Sequence, residues 1–252
     1  PAILTCSVAA MKVLEENEIV PSVVAGHSLG EYSALVCAGA MSFADAVRTV
    51  RKRGQFMQEA VPVGEGAMAA IIGLDTDKIK EICAETANMT NQCVQAVNFN
   101  CPGQIVIAGA TEAVHKACDR LKEAGAKRAI LLPVSAPFHS TLMQPAADRL
   151  KEVLDSVEIV DAKIPVVANV NAKPETKADE IRSQLVLQAA SPVLWEDSVR
   201  RMMNDGVDTF VEVGPGKVLC GFIKKVDRSY APLNVEDMES LEKSLAYLKE
   251  VR

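Results

Sequence analysis

Five residues, Gly26-His27-Ser28-Leu29-Gly30, follow the short β-branched run Val23-Val24-Ala25 and lead into Glu31 to Leu35, where the spacing turns helical. A strand, a tight turn and a helix in this order form a nucleophile elbow, which lifts a serine hydroxyl out of a strained turn. Ser28 is therefore the candidate nucleophile. Gly26 and Gly30 supply the small residues that a close approach of strand and helix demands. The Leu29 amide is one of the unpaired donors of the first helical turn, so an oxyanion could sit there. A glycine-bounded turn whose serine only caps the helix has the same pattern, and both readings stand at this point.

A serine needs a base, and the chain has three histidines. His27 neighbours the nucleophile, so its side chain leaves the elbow in another direction. His115 stands among Glu112, Lys116, Asp119 and Arg120 on a helix face that should be wet. His139 remains, in the small-residue loop Pro133 to Ser140, as the candidate base. Its imidazole must be held in one tautomer by an acceptor on the other nitrogen. No Asp or Glu stands out for that task, which leaves a backbone carbonyl to serve.

The elements that must position these residues are α/β in character. Ala2 to Glu16 reads as a helix with Ile3, Leu4, Val8, Met11 and Leu14 on one face, and Ser42-Phe43-Ala44-Asp45 caps a helix running to about Ala60. From Gly64 the pattern becomes strand Ala67 to Ile72, helix Asp77 to Asn88, strand Cys93 to Phe99, strand Ile105 to Gly109, helix Thr111 to Ala124 and strand Arg128 to Leu132. That order is a ferredoxin-like βαββαβ small domain, residues 63–132, inserted into a large domain made of residues 1–62 and 133–252. The large domain should be hydrolase-like, with a parallel sheet carrying the elbow. Beyond the insertion, Thr141 caps a helix to about Ser156, Ile164 to Asn169 and Thr209 to Val213 read as strands, and Glu180 to Ala190, Ser198 to Asp205, Val218 to Val226 and Val235 to Lys249 as helices.

Composition excludes several classes. With 252 residues, 49% of them hydrophobic, the chain can bury a substantial core, and a net charge of −6 with no basic run argues against nucleic acid as a partner. Seven cysteines are odd in number and scattered without a C-x-x-C pair, so neither a disulfide framework nor a metal site is indicated. No apolar run reaches membrane-span length and the N-terminus lacks signal-peptide features, so no membrane partner and a cytoplasmic or organellar-matrix location are expected.

Five motifs in this order and spacing carry a resemblance: Gly26-His27-Ser28-Leu29-Gly30-Glu31-Tyr32-Ser33-Ala34, Arg53-Gly54-Gln55-Phe56-Met57-Gln58, Asn98-Phe99-Asn100-Cys101-Pro102-Gly103-Gln104, Pro137-Phe138-His139-Ser140 and Glu212-Val213-Gly214-Pro215-Gly216-Lys217-Val218-Leu219. Over nearly its whole length the chain resembles the malonyl-CoA:acyl carrier protein transacylases of fatty acid synthesis. The resemblance implies that Ser28 is acylated, that His139 is its base, and that Arg53 pairs with the free carboxylate of the malonyl group. Without it, Arg53 would read as one more solvated helix cation. It further implies that the backbone carbonyl of Gln188 orients the histidine, and that malonyl-CoA and acyl carrier protein are the partners. Both are substrates, so no cofactor is required.

By the same resemblance Phe138, Met57 and Met68 limit acyl size, although each also fits plain core. Asn98 and Asn100 would line the thioester channel, although Asn-x-Asn-x-Pro-Gly is equally a turn signature. Family members normally begin with about sixty more residues, including a Gly-Gln-Gly-Ser-Gln-type loop whose glutamine amide completes the oxyanion hole. No such loop stands in this sequence, and losing one oxyanion donor costs about 10² to 10³ in rate. The expectation is a missing or disordered N-terminal portion, or a fragment with impaired activity. Two other functions use the same features: a serine hydrolase or thioesterase, which would admit water to the acyl-enzyme, and a non-catalytic carrier-protein binding module.

Overall fold

The computed structural model describes residues 1–250. The chain opens with α1 (Ala2–Glu16), β1 (Val24–Ala25), α2 (Gly30–Cys37) and α3 (Phe43–Glu59). It continues through β2 (Gly66–Ile72), α4 (Thr76–Thr90), β3 (Val94–Cys101), β4 (Gln104–Ala110), α5 (Thr111–Glu123) and β5 (Arg128–Leu131). Then come α6 (Gln144–Asp155), β6 (Val166–Val167), β7 (Pro174–Glu175), α7 (Ala178–Gln188) and α8 (Trp195–Asn204). The last elements are β8 (Val211–Val213), α9 (Val218–Val226), β9 (Leu233–Val235) and α10 (Met238–Glu250).

The strands β2 to β5 form one antiparallel sheet in the order β3-β4-β2-β5. With α4 and α5 between them, this is the ferredoxin-like βαββαβ unit. Its apolar positions alternate as a half-buried sheet requires: Ala67, Ala69 and Ile71 of β2 pack with Ile79, Ile82, Val114 and Leu121 of the helices. The other face, with Met68, Ala70, Val106 and Ala108, meets Phe138.

The larger core lies between α1, α2, α3, α6 and α7, where Leu4, Val8, Met11, Tyr32, Leu35, Val50, Leu150, Leu154 and Leu185 are buried together. On α1 the buried stripe begins at Leu4, and Ile3 is exposed because it falls off the i, i+4, i+7 spacing. Ser42 caps α3 as its sequence requires, accepting from the Asp45 amide at 3.0 Å.

The parallel sheet expected of the large domain is broken into short pieces. β1 pairs parallel with β6, but β6 pairs antiparallel with β7, and β8 pairs parallel with β9 in a separate two-stranded sheet. The run from Ile164 to Asn169 yields only two ladder residues. Pro165 brings no N–H to its N-terminal end. At the other end the chain turns back at Ala168, which bonds to Lys173 and Ala172, and so short a connection between neighbouring strands permits only antiparallel pairing. The two parts of the molecule are joined along the free edge of β3. Val193, just before α8, donates to Val97 O at 2.8 Å and accepts from Phe99 N at 2.9 Å.

Candidate active site

The elbow begins where β1 is fixed against β6, with Ala25 opposite Val167. Ser28 then adopts φ 53°, a left-handed conformation that costs an L residue about 1 to 3 kcal/mol and persists only where neighbours hold it. Asn169 is the neighbour that holds it. Its Oδ1 accepts from Ser28 N at 2.7 Å, and its Nδ2 donates to Gly26 O at 2.8 Å. The close approach falls on Gly26 alone: a Cβ there would stand 1.9 Å from Gly30 C, whereas a Cβ on Gly30 would meet nothing within 4 Å. The expectation that both glycines are sterically required is corrected to one. Leu29 is the N-cap of α2, and its N–H has no acceptor among the described residues.

His139 lies 2.7 Å, by Nε2, from Ser28 Oγ. Its Nδ1 lies 2.9 Å from the main-chain oxygen of Gln188. A carbonyl oxygen only accepts, so the proton sits on Nδ1 and the Nε2 lone pair faces the serine hydroxyl. The loop that presents it is tied down at several points. His139 itself takes φ 65°, Ser140 Oγ donates to Pro137 O at 2.7 Å, and Thr141 N donates to Gln95 Oε1 at 2.9 Å. Burial, and then the positive charge of Arg53, push the imidazole down to about 3. The imidazole is therefore neutral near pH 7.

Arg53, on α3, is buried and donates from Nη2 both to Ser28 Oγ and to Gln188 Oε1, each at 3.0 Å. Its Cζ lies 5.8 Å from the centre of the Tyr32 ring. Among the described residues no carboxylate forms an ion pair with it, and Nε is buried without a partner. Burial lowers its pKa from the ordinary value, while the Tyr32 hydroxyl and the Glu31 carboxyl nearby act in the opposite direction. A buried guanidinium without an anion is costly unless something supplies the anion.

Gln188 closes the arrangement. Beyond its carbonyl bond to His139, its Nε2 donates to Ser28 O at 2.9 Å and to Glu31 Oε2 at 2.8 Å. Glu31, buried at the start of α2, also accepts from Asn169 N at 3.1 Å, and burial pushes its carboxyl up to about 7.

The other sequence candidates fall into place unevenly. Met57 is one helical turn beyond Arg53 on α3, and both it and Met68 are buried in clusters against which Phe138 packs. Asn98 forms no hydrogen bond to Ser28, His139 or Arg53, and its Oδ1 is buried without a partner. Asn100 is engaged by His27, whose Nε2 lies 2.8 Å from Asn100 Oδ1 and whose ring lies 5.6 Å from that of Trp195. His115 is exposed on α5. No cluster of His, Cys, Asp or Glu suited to a metal ion occurs among the described residues, and no helix there is long and apolar enough to cross a membrane.

The model of the acyl transferase domain family matches residues 1–244. Over 250 residues the chain is 53% identical to the malonyl CoA-acyl carrier protein transacylase of Bacillus subtilis, covering 99% of this chain and 78% of that protein. The chain belongs to the malonyl CoA-acyl carrier protein transacylase family. The solved transacylase of Coxiella burnetii superposes with a TM-score of 0.95 at 45% identity, covering 98% of this chain and 78% of that one. A malonyl-transacylase solved in complex with a type II PKS acyl-carrier protein superposes at 0.94 with 49% identity, covering 97% and 79%. Within this transacylase fold, sequence reasoning missed Asn169 and Glu31 as parts of the site. The available signal for Asn169 was a polar residue ending an apolar strand beside the elbow strand, since sites in α/β sheets form at the carboxyl ends of strands. For Glu31 it was an acid directly after the second glycine, where first-turn acids are common for other reasons.

Proposed function

We propose that this chain transfers a malonyl group from malonyl-CoA, through an ester on Ser28, to the phosphopantetheine thiol of acyl carrier protein in fatty acid biosynthesis. The observation that carries the reading is Arg53: a buried guanidinium without an anionic partner, sharing the nucleophile's oxygen with the base. An acyl group ending in a carboxylate supplies the missing anion, and the planar fork can take it through two parallel bonds.

The reaction divides into two symmetric halves. Ser28 Oγ attacks the thioester carbonyl carbon while its proton passes to His139 Nε2, and the oxyanion forms beside the Leu29 amide. Collapse breaks the C–S bond, and the departing CoA sulfur takes the proton from Nε2. The carrier's thiol then gives its proton to Nε2 and attacks the ester, and Ser28 leaves and recovers the proton. Gln188 O stabilises the imidazolium through Nδ1–H in both halves. We assign Phe138, Met57 and Met68, which pack in neighbouring clusters, to the limit on acyl size, and Asn98, whose buried Oδ1 has no partner among the described residues, to the thioester path.

The thioester itself activates the acyl group, so the residues named here run the chemistry without a bound cofactor. We assign residues 1–62 and 133–252 to the large domain and 63–132 to the small one, so that the base follows directly after the insertion. A cytoplasmic or organellar-matrix location is supported by the seven free cysteines.

Incubation with malonyl-CoA, followed by intact mass and peptide mapping, tests the reading. A malonyl adduct on Ser28, absent from Ser28→Ala and transferred to holo acyl carrier protein, is the expected result. An adduct that is only hydrolysed would make the chain a thioesterase, and no adduct would leave a carrier-binding module.

A further inference from the structure

Glu31 has no task in the reaction as written, yet it is a buried carboxylate, 3% exposed, with no ion pair among the described residues. Such a group is costly and needs a reason. Its Oε2 accepts two bonds, from Gln188 Nε2 at 2.8 Å and from Asn169 N at 3.1 Å. The first of these adds to the bond that Gln188 Nε2 gives Ser28 O in setting an orientation. The Gln188 amide is fully buried between two unlike neighbours, with Arg53 Nη2 on one side and Glu31 Oε2 and Ser28 O on the other.

An amide has a donating end and an accepting end of nearly the same shape. With acceptor oxygens at Glu31 and Ser28 and a donor at Arg53, the NH2 lies toward the first two and the carbonyl oxygen faces Arg53. Turned over, the amide would set donor against donor at the guanidinium and oxygen against oxygen at Glu31 and Ser28, leaving buried polar groups unpaired. The orientation holds Arg53 Nη2 in place beside Ser28 Oγ, and the same residue offers its main-chain oxygen to His139.

We propose that Glu31 is a positioning residue: by fixing the Gln188 amide it aims the Arg53 guanidinium, and so contributes to selection of carboxylate-bearing acyl groups. The inference rests on the malonyl reading above.

The test compares wild type, Glu31→Ala, Glu31→Gln and Gln188→Leu in transfer from malonyl-CoA and from acetyl-CoA to holo acyl carrier protein. Glu31→Ala should lower the malonyl-to-acetyl ratio of kcat/KM by about tenfold or more, the loss of one charge-assisted bond, mainly through the KM for malonyl-CoA. Glu31→Gln keeps an acceptor oxygen for both bonds and should hold the ratio within about threefold of wild type. Gln188→Leu should lower the ratio as Glu31→Ala does, and the double variant should lower it no further. The proposal is overturned if Glu31→Ala slows both donors equally, or if Gln188→Leu keeps the wild-type ratio, a result that stands even where Glu31→Ala fails to fold. Absence of a malonyl adduct in wild type would instead remove the malonyl reading itself.

Discussion

Arg53 Nη2 donates to Ser28 Oγ at 3.0 Å, on the same oxygen that lies 2.7 Å from His139 Nε2. The cation is thus placed to steady negative charge on Ser28 Oγ and at the same time to oppose a positive charge on His139. On the mechanism proposed above, a substrate carboxylate that pairs with the guanidinium relieves the second effect, so the acyl group assigned to Arg53 would also ease proton transfer to His139.

Arg53→Ala should therefore lose malonyl transfer in preference to acetyl transfer. Removing charge-assisted bonds of about 3 kcal/mol corresponds to about 10² in malonyl kcat/KM. Arg53→Lys should recover little of it, because an ammonium lacks the planar fork. Steady-state transfer with both CoA esters measures this, and equal loss for the two donors would contradict the role given to Arg53.

His139 provides a pH signature in stability. Its folded pKa, about 3, lies below the unfolded value of 6.5. The unfolded chain therefore binds a proton that the folded chain refuses. The contribution is fully present above about pH 6.5 and is lost as pH falls toward 3. Between pH 6.5 and 5 it amounts to about 2 kcal/mol at most. Glu31, raised to about 7 from 4.5, has the opposite sign across the whole of this interval and contributes alike to wild type and to His139→Gln. The expected result is that wild type loses more stability than His139→Gln on going from pH 6.5 to 5, by denaturant unfolding of both. Parallel curves would show that His139 is not held neutral.

Local signals were legible in the sequence and through-space ones were not. The elbow, the Ser42 cap and the βαββαβ order each depend on residues close together in the chain. His139 emerged by elimination among three histidines. Arg53 did not stand apart from Arg48, Arg51 and Lys52 by any pattern of its own, because what distinguishes it is burial against Tyr32 and Gln188. Asn169 and Glu31 act on residues 141 and 157 positions away, at Ser28 and Gln188. No period or cap in either segment encodes such a contact. Parallel pairing is present at β1–β6 and β8–β9, but its short extent was not legible for a related reason: apolar runs predict strands, while a proline and a tight return decide how many residues pair.

Asn169 should prove to be the clamp of the strained serine. Asn169→Leu removes the acceptor for Ser28 N and the donor to Gly26 O, leaving both unpaired in a buried place, at about 2 to 4 kcal/mol in total. Relaxation of Ser28 from φ 53° would move its hydroxyl away from His139. Calorimetry should give a lower Tm, and kcat should fall for malonyl and acetyl donors alike with their ratio kept. That pattern separates the clamp from Arg53, whose loss changes the ratio.

The two glycines of the elbow should behave unequally although the motif treats them alike. A methyl on Gly26 would stand 1.9 Å from Gly30 C and 2.5 Å from Glu31 N, all backbone, so the turn itself would have to open. Gly26→Ala should cost at least about 3 kcal/mol and abolish acylation of Ser28. Gly30 has open space and no left-handed φ, and it begins α2. Gly30→Ala should fold with unchanged or slightly higher stability, up to about 1 kcal/mol, because alanine loses less backbone freedom in a helix. Denaturant midpoints of the two variants decide the matter. Equal destabilisation would mean that the close approach of strand and helix is shared, and that the packing of Gly26 against the Gly30 backbone is not what shapes the turn.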